Sequence, residues 1–230
     1  MSGSPGRLGT LLFDSWELTP EGAAIHHGER TAVIADVHLG YEWARGAAGD
    51  CVPAHSLVET IGRLERVLSR AAIARLIVAG DLVESPRPCR RTAADLRRLR
   101  GWLEARGLSL LVLEGNHDRS LDAALPTTCR VAGWTVGHGH RALNGDRTIS
   151  GHLHPVFRIA GTNAPCFLVG AGRIVLPAFS SNAAGCDVVT APLPHDWRTA
   201  PLRCLASTGE ELLDFGPLTD LRRRLRRPAL

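Results

Sequence analysis

The stretch Thr-Ala-Val-Ile-Ala-Asp-Val-His-Leu-Gly, residues 31–40, sets an apolar run of strand length directly against an aspartate and a histidine. Two later stretches repeat the form. Leu76-Ile77-Val78-Ala79 runs into Gly80-Asp81, and Leu110 to Leu113 leads to Gly115-Asn116-His117-Asp118. Helical patterns lie between them. From Ser56 to Ser69, Leu57, Ile61, Leu64 and Leu68 share one helix face. Thr92-x-x-Asp95 reads as a capping-box variant, opening a stripe of Leu96, Leu99 and Leu103 that stops at Gly107. This alternation over residues 30–115 predicts parallel βαβ units whose strands are buried on both faces.

Outward from that block the character changes. After residue 129 come short strand candidates separated by turn residues: Trp134 to Val136, Thr148-Ile149, Val156 to Ile159, Cys166 to Val169, Arg173 to Leu176 and Asp187 to Thr190. They predict a second, largely antiparallel sheet packed on the first. Residues 10–28 read as a hairpin added to a sheet edge, and Leu218 to Arg227 as a short helix in a basic tail, residues 217–230. With no repeat or linker, residues 1–230 are read as a single domain of α/β class.

Composition narrows the function classes. The 230 residues carry 27 basic side chains, all arginine, against 23 acidic ones, and 44% of residues are hydrophobic, a globular balance. Five arginines (222, 223, 224, 226 and 227) crowd the last nine residues, so the net charge of +4 reflects where arginine sits more than a basic protein throughout. No apolar run approaches the ~18–20 residues that span a bilayer, and the first residues lack the apolar core of a signal peptide. Six scattered cysteines form no CxxC and read as reduced thiols, so the expected location is the cytoplasm, without membrane association.

The chemistry is concentrated at five strand ends: Asp36-Val37-His38, Gly80-Asp81, Gly115-Asn116-His117-Asp118, Gly137-His138-Gly139-His140 and Gly151-His152-Leu153-His154. Gly-His occurs three times where composition alone gives about one. In α/β sheets, ligands gather at the carboxyl ends of strands, so these segments should converge on one rim. Two divalent cations about 3.5–4 Å apart need a bridging carboxylate with neutral and anionic partners. Asp81 can bridge. Asp36, His38 and one late histidine can hold one cation, and Asn116 with two other histidines the second.

This ordered set resembles the calcineurin-like metallophosphoesterases, whose pattern is D-x-H, G-D, G-N-H-[DE], G-H and G-H-x-H, here covering residues 36–154. The resemblance implies a four-layer αββα sandwich of two mixed β-sheets flanked by helices. It assigns Asp36, His38, Asp81 and His154 to one metal, and Asp81, Asn116, His138 and His152 to the other. Within the family, Asp36 to Glu42, Gly151 to Pro155 and Leu176 to Phe179 are most similar to the SbcD-related branch, which includes ligase-associated (PdeM-type) DNA-repair endonucleases.

The implied activity is a dinuclear-metal phosphodiesterase, a nuclease acting on DNA in repair. A metal-bridging hydroxide would attack phosphorus, and His117 would protonate the leaving oxygen while Asp118 orients its ring or raises its pKa. Manganese is the first choice, with iron or zinc also suited to mixed O/N ligands. DNA ligase and helicase partners follow from the resemblance alone. Two alternatives stay open: a phosphoesterase of cyclic nucleotides or nucleotide derivatives, and a catalytically silent protein-binding scaffold. His140 is read as either a phosphate contact or a hydrogen-bond neighbour of the ligands. Arg87 to Arg106 holds seven arginines against Asp95 and Glu104 and is either a polyanion-steering surface or a solvated helix face. The 222–227 cluster is either a nucleic-acid contact or a frayed solubilising tail.

Overall fold

In a computed structural model, residues 9–121, 124–159, 161–170, 172–193 and 201–225 are described. The first half runs β1 (Leu11–Phe13), β2 (Trp16–Leu18), β3 (Ala24–His26), β4 (Thr31–Ile34), helices α1 (Tyr41–Ala47) and α2 (Ser56–Arg70), β5 (Arg75–Val78), α3 (Arg90–Glu104) and β6 (Ser109–Val112). These strands form one sheet in sequence order. β4, β5 and β6 pair in parallel, as the βαβ reading requires, whereas β1 to β4 form an antiparallel meander. The expected edge hairpin is therefore β1–β2 with one further strand, β3, that joins it to the parallel core.

β4 and β5 are buried on both faces because each feeds two cores, whereas the edge strand β6 is exposed at Ser109, half-buried at Leu110 and Leu111 and buried only at Val112. Ala32, Ile34, Leu76, Val78 and Val112 pack under Leu57, Leu64 and Val67 of α2 and Leu96, Leu99 and Leu103 of α3. Val33, Ala35, Ile77, Ala79 and Leu113 point the other way, into the space between the sheets. At about 25 cal/mol per Å² of apolar surface removed from water, such double burial gives these short strands stability that their backbone hydrogen bonds alone would not.

The second sheet comprises β7 (Thr128–Val131), β8 (Trp134–Gly137), β9 (Thr148–Ser150), β10 (Pro155–Ile159), β11 (Thr162–Gly170), β12 (Arg173–Val175), β13 (Cys186–Asp187), β14 (Arg203–Ser207) and β15 (Leu212–Pro217). Its order among the described residues is β13-β10-β11-β12-β9-β8-β7, with β14 pairing β11 and β15. Antiparallel pairing dominates its periphery, but β8–β9, β9–β12 and β10–β13 are parallel, so the sheet is mixed. Trp134, Val136, Ile149, Phe167 and Ile174 fill the space between the sheets against Trp16, whose ring meets Trp134 edge-on at 6.3 Å.

The outer face of this sheet is covered by α4 (Leu218–Leu225), whose Leu218 and Leu221 join Phe157, Leu168 and Val175. The layers therefore run helix, sheet, sheet, helix: an α/β sandwich of two mixed sheets. Residues 217–225 are not a free tail. Pro217 ends β15, and Arg222 donates from Nε to Val188 O at 2.6 Å and from Nη2 to Ala191 O at 2.7 Å, anchoring the helix. Arg226, Arg227 and His195 lie outside the described residues.

Two other expectations change. Helix α3 begins at Arg90 with Cys89 as its cap residue, so Thr92 sits inside the first turn and caps nothing. Asp95 instead accepts the Trp43 Nε1–H at 2.8 Å. Of the predicted strand Asp187 to Thr190, only Asp187 lies in β13, and Val188 to Thr190 form a turn. All six cysteines are free thiols.

Register delivers the site. β4, β5 and β6 run level, with Ile34 opposite Val78 and Val78 opposite Val112. In the other sheet Gly137 is opposite Ser150, and Ser150 opposite Val175. Every motif segment therefore leaves its strand at the same end of the sandwich.

Candidate metal centre

Beyond those strand ends the chain turns abruptly. Asp36, His38, Asp81, His152 and His154 all have positive φ, between 48° and 67°, whereas only three other non-glycine residues among those described do. Left-handed backbone costs a non-glycine residue about 1–3 kcal/mol, and such strain collects at functional sites. Here it aims five side chains from three loops at one point. Glycines allow the loops to touch. A Cβ on Gly115 would stand 2.1 Å from Asp81 N, and one on Gly80, at φ +86°, 2.5 Å from His138 Cβ.

The resulting cluster is dense. Asp36 is fully buried; its Oδ1 receives His138 Nε2 at 2.9 Å and His154 Nε2 at 3.2 Å, and its Oδ2 the backbone N–H of His152 at 2.9 Å. Asp81 Oδ2 lies 3.3 Å from His138 Nε2 and 4.0 Å from His117 Nε2, and its Oδ1 accepts the His117 backbone N–H at 2.9 Å. His38 and His154 bring their Nε2 atoms within 3.4 Å, and the His138 and His152 rings stand 4.8 Å apart.

Potential ligand atoms fall into three overlapping groups, each within 4.8 Å: Asp36, His38 and His154; His38, Asp81 and His117; Asp81, His138 and His152. Asp81 is common to two of them. Asn116 Oδ1 is buried with no hydrogen-bond partner, which is costly for an amide oxygen unless something else occupies its lone pairs. An amide oxygen, carboxylates and imidazoles, with no thiolate among them, form a donor set that fits divalent cations of intermediate hardness.

Charge within the cluster is correspondingly strained. Burial pushes the Asp36 carboxyl up, but hydrogen bonds from His138 and His154 outweigh it and hold the pKa well below the carboxylate range. Asp81 is lowered the same way, burial being overcome by His138. His138 is the counterpart: burial lowers it, yet Asp36 and Asp81 raise it to about 9. His154 also rises, because Asp36 outweighs its burial, whereas burial and the charge on His138 lower His152. A proton on His138 stands where positive charge is wanted between two buried carboxylates.

No protein-family model and no curated protein matches the chain. Among solved structures it is similar to the Pseudomonas putida nuclease MPE, with a TM-score of 0.66 and 22% sequence identity over 92% of this chain and 99% of that chain. The two share a fold. The overlap takes in nearly the whole of both chains, so the likeness extends beyond the region around the histidines.

Residues around the cluster behave less as expected. Among the described residues no hydrogen bond or ion pair joins the Asp118 carboxylate to the His117 ring. Its carboxylate is buried and accepts three backbone N–H groups, from Asp81 at 2.8 Å, Gly115 at 2.9 Å and Val83 at 3.2 Å, strapping the Gly80 loop to the Gly115 loop. Burial raises its pKa, and the charge of Asp81 adds to the rise. The partner of His117 is Glu84, whose backbone carbonyl lies 2.5 Å from His117 Nδ1.

The Glu84 side chain also reaches the cluster, with Oε2 2.8 Å from His38 Nδ1, though off the line of a full hydrogen bond. A single residue thus braces the far nitrogen of two site histidines. The sequence reading missed it; a carboxylate three residues beyond Asp81, in the same loop, was the available signal. His140 resolves as a neighbour of the predicted ligands: its Nδ1 lies 3.0 Å from His138 Nδ1, and burial together with the charge on His138 lowers its pKa. His26, His27 and His55 lie outside these groups.

Proposed function

We propose that this chain is a metal-dependent phosphodiesterase and that its substrate is nucleic acid. The observation that carries the reading is the convergence of five strand-end segments on Asp81, with the Oδ1 of Asn116, the residue before His117, buried and unpartnered. Asp36, His38, Asp81 and His154 would hold one cation, and Asp81, Asn116, His138 and His152 the second. Divalent cations held there would activate water as a nucleophile and neutralise charge building on phosphoryl oxygens.

The chain's own groups supply the rest. Asp36 and Asp81, already ionised by their surroundings, need no proton removed before accepting cations. His117 keeps Nδ1 on the Glu84 carbonyl, so its ring is oriented and Nε2 is the atom that would deliver a proton to the departing oxygen. Asp118, by tying the Asp81 and Gly115 backbones together, fixes how far His117 stands from Asp81. His140 supports His138 from behind, as hydrogen-bond partners of metal-ligating imidazoles do.

The nucleic-acid part draws on the fold shared with MPE, itself a nuclease, and on the resemblance of the five motifs. Action on DNA in repair, manganese as the metal, and residues 1–230 as one domain are finer parts of the same proposal. Among the described residues no helix is long and apolar enough to cross a membrane. The test is to strip the protein of metal, add back manganese, zinc or magnesium, and assay bis-p-nitrophenyl phosphate and single- and double-stranded DNA. Hydrolysis of both substrate types with at least one metal is expected. Failure on every substrate with every metal overturns the enzyme reading, and cleavage of the small diester alone overturns the nucleic-acid reading.

A further inference from the structure

Outside the cluster, the arginines of residues 87–106 divide into two kinds. Arg91 stacks over Trp43, Arg98 pairs with Asp95, and Arg106 covers Trp102 and reaches Glu65. Arg87, Arg90, Arg97 and Arg100 are exposed, and among the described residues their guanidinium groups have no ion pair, hydrogen bond or aromatic partner. These four, and not the others, line one groove of about 690 Å³. Leu121 and Leu125, both half-buried, contribute apolar surface to it, and no acidic side chain is among the described residues that line it.

The groove's position gives those charges a direction. Val83 and Ser120 line it too. Val83 follows Asp81 by two residues and donates its N–H to Asp118, while Ser120 donates to Ser85 O at 2.9 Å. The groove therefore abuts the two loops that carry Asp81, Asn116 and His117. Along α3, Arg90, Arg97 and Arg100 span about 15 Å at 1.5 Å per residue, which is about four nucleotides at the 3.4 Å rise of one strand.

From this we infer that the groove is the track for a polynucleotide strand whose phosphodiester backbone continues into the candidate metal centre. The inference rests on the phosphodiesterase reading. Unpaired guanidinium groups in a row recognise phosphates without reading sequence, and Leu121 and Leu125 offer apolar surface to sugar or base faces. An acidic peptide would satisfy the charge but has no reason to lead toward Asp81.

The test compares the full chain with a variant carrying Arg87→Gln, Arg90→Gln, Arg97→Gln and Arg100→Gln. Binding of fluorescent 20-nucleotide DNA and RNA strands is followed by anisotropy against salt, in EDTA so that neither strand is cut. Each phosphate contact contributes about 0.7 to the log–log salt slope of a single strand, so the variant's slope should be shallower by about three. Its manganese-loaded rate on bis-p-nitrophenyl phosphate, too short to reach the groove, should be unchanged.

A control, Arg66→Gln with Arg130→Gln, should leave the slope intact. An unchanged slope in the fourfold variant overturns the inference, as does an equal loss in the control or equal competition by a glutamate oligomer of matched charge. Arg97→Gln with Arg100→Gln alone, on the exposed face of α3, should give about half the change and serves if the fourfold variant does not fold. If the unmodified chain fails to hydrolyse bis-p-nitrophenyl phosphate, the phosphodiesterase reading has failed instead. The DNA and RNA arms show which strand the groove prefers.

Discussion

Replacing Glu84 tests how far the surroundings of the candidate ligands set their affinity. Its carboxylate stands 2.8 Å from His38 Nδ1 and its carbonyl 2.5 Å from His117 Nδ1. A substitution removes the first contact and keeps the second, because the backbone remains. Loss of a partner behind a ligating imidazole costs about 10–100-fold in metal affinity. The Glu84 side chain is 23% exposed and poorly aligned with the His38 N–H, so the lower end applies: about tenfold, or about 1.4 kcal/mol, for Glu84→Ala. Glu84→Gln keeps an acceptor and should lose less. The assay is calorimetric titration of manganese into metal-stripped protein. Turnover at saturating manganese should be largely retained in both variants, since His117 keeps its brace. Unchanged manganese affinity in Glu84→Ala would refute the idea that Glu84 supports His38, and collapse of turnover at full metal occupancy would give it a different role.

Further outcomes follow from the same geometry. With a folded pKa of about 9 against 6.5 unfolded, His138 stabilises the metal-free protein fully below pH 6.5 and loses that contribution as pH rises toward 9. Asp36, depressed from 3.8, contributes above that pH and loses it in stronger acid. The thermal midpoint of metal-free protein should thus fall between pH 6.5 and 9, while manganese, which needs the ring unprotonated, should bind more tightly over that range; a rising metal-free midpoint would contradict this. Gly115→Ala should destabilise the protein by about 1–3 kcal/mol in urea unfolding, because the added Cβ would fall 2.1 Å from Asp81 N, and an unperturbed midpoint would show that the loops part easily. His117→Ala should keep its bound metal by elemental analysis yet lose about 10²–10⁴ in kcat; loss of metal instead would place His117 among the ligands, beside His38 and Asp81.

What could be read from sequence was whatever depends on local order. β4, β5 and β6 were legible because each holds an apolar run of strand length followed by a ligand-type residue, although the edge strand β6 is only partly buried. α2 was legible from four apolar residues on one face. The seven candidate ligands needed only their order along the chain. What depends on distant partners was hidden. The carboxylate of Asp118 is occupied by backbone N–H groups from two loops, so its neighbour in sequence, His117, was the wrong place to look. Asp95 is diverted from capping by Trp43, 52 residues away. β14 and β15 went unassigned because they lie far along the chain from β11, the strand on which they build, and α1 because seven residues with a glycine inside carry too little pattern.

In the proposed reading Asp81 would stand between two cations. Crystals of the protein grown with manganese, measured at the manganese absorption edge, test it most directly. Two anomalous peaks are expected, one on each side of the Asp81 carboxylate, the first bounded by Asp36, His38 and His154 and the second by Asn116, His138 and His152. A single peak, or none at full manganese, would contradict it.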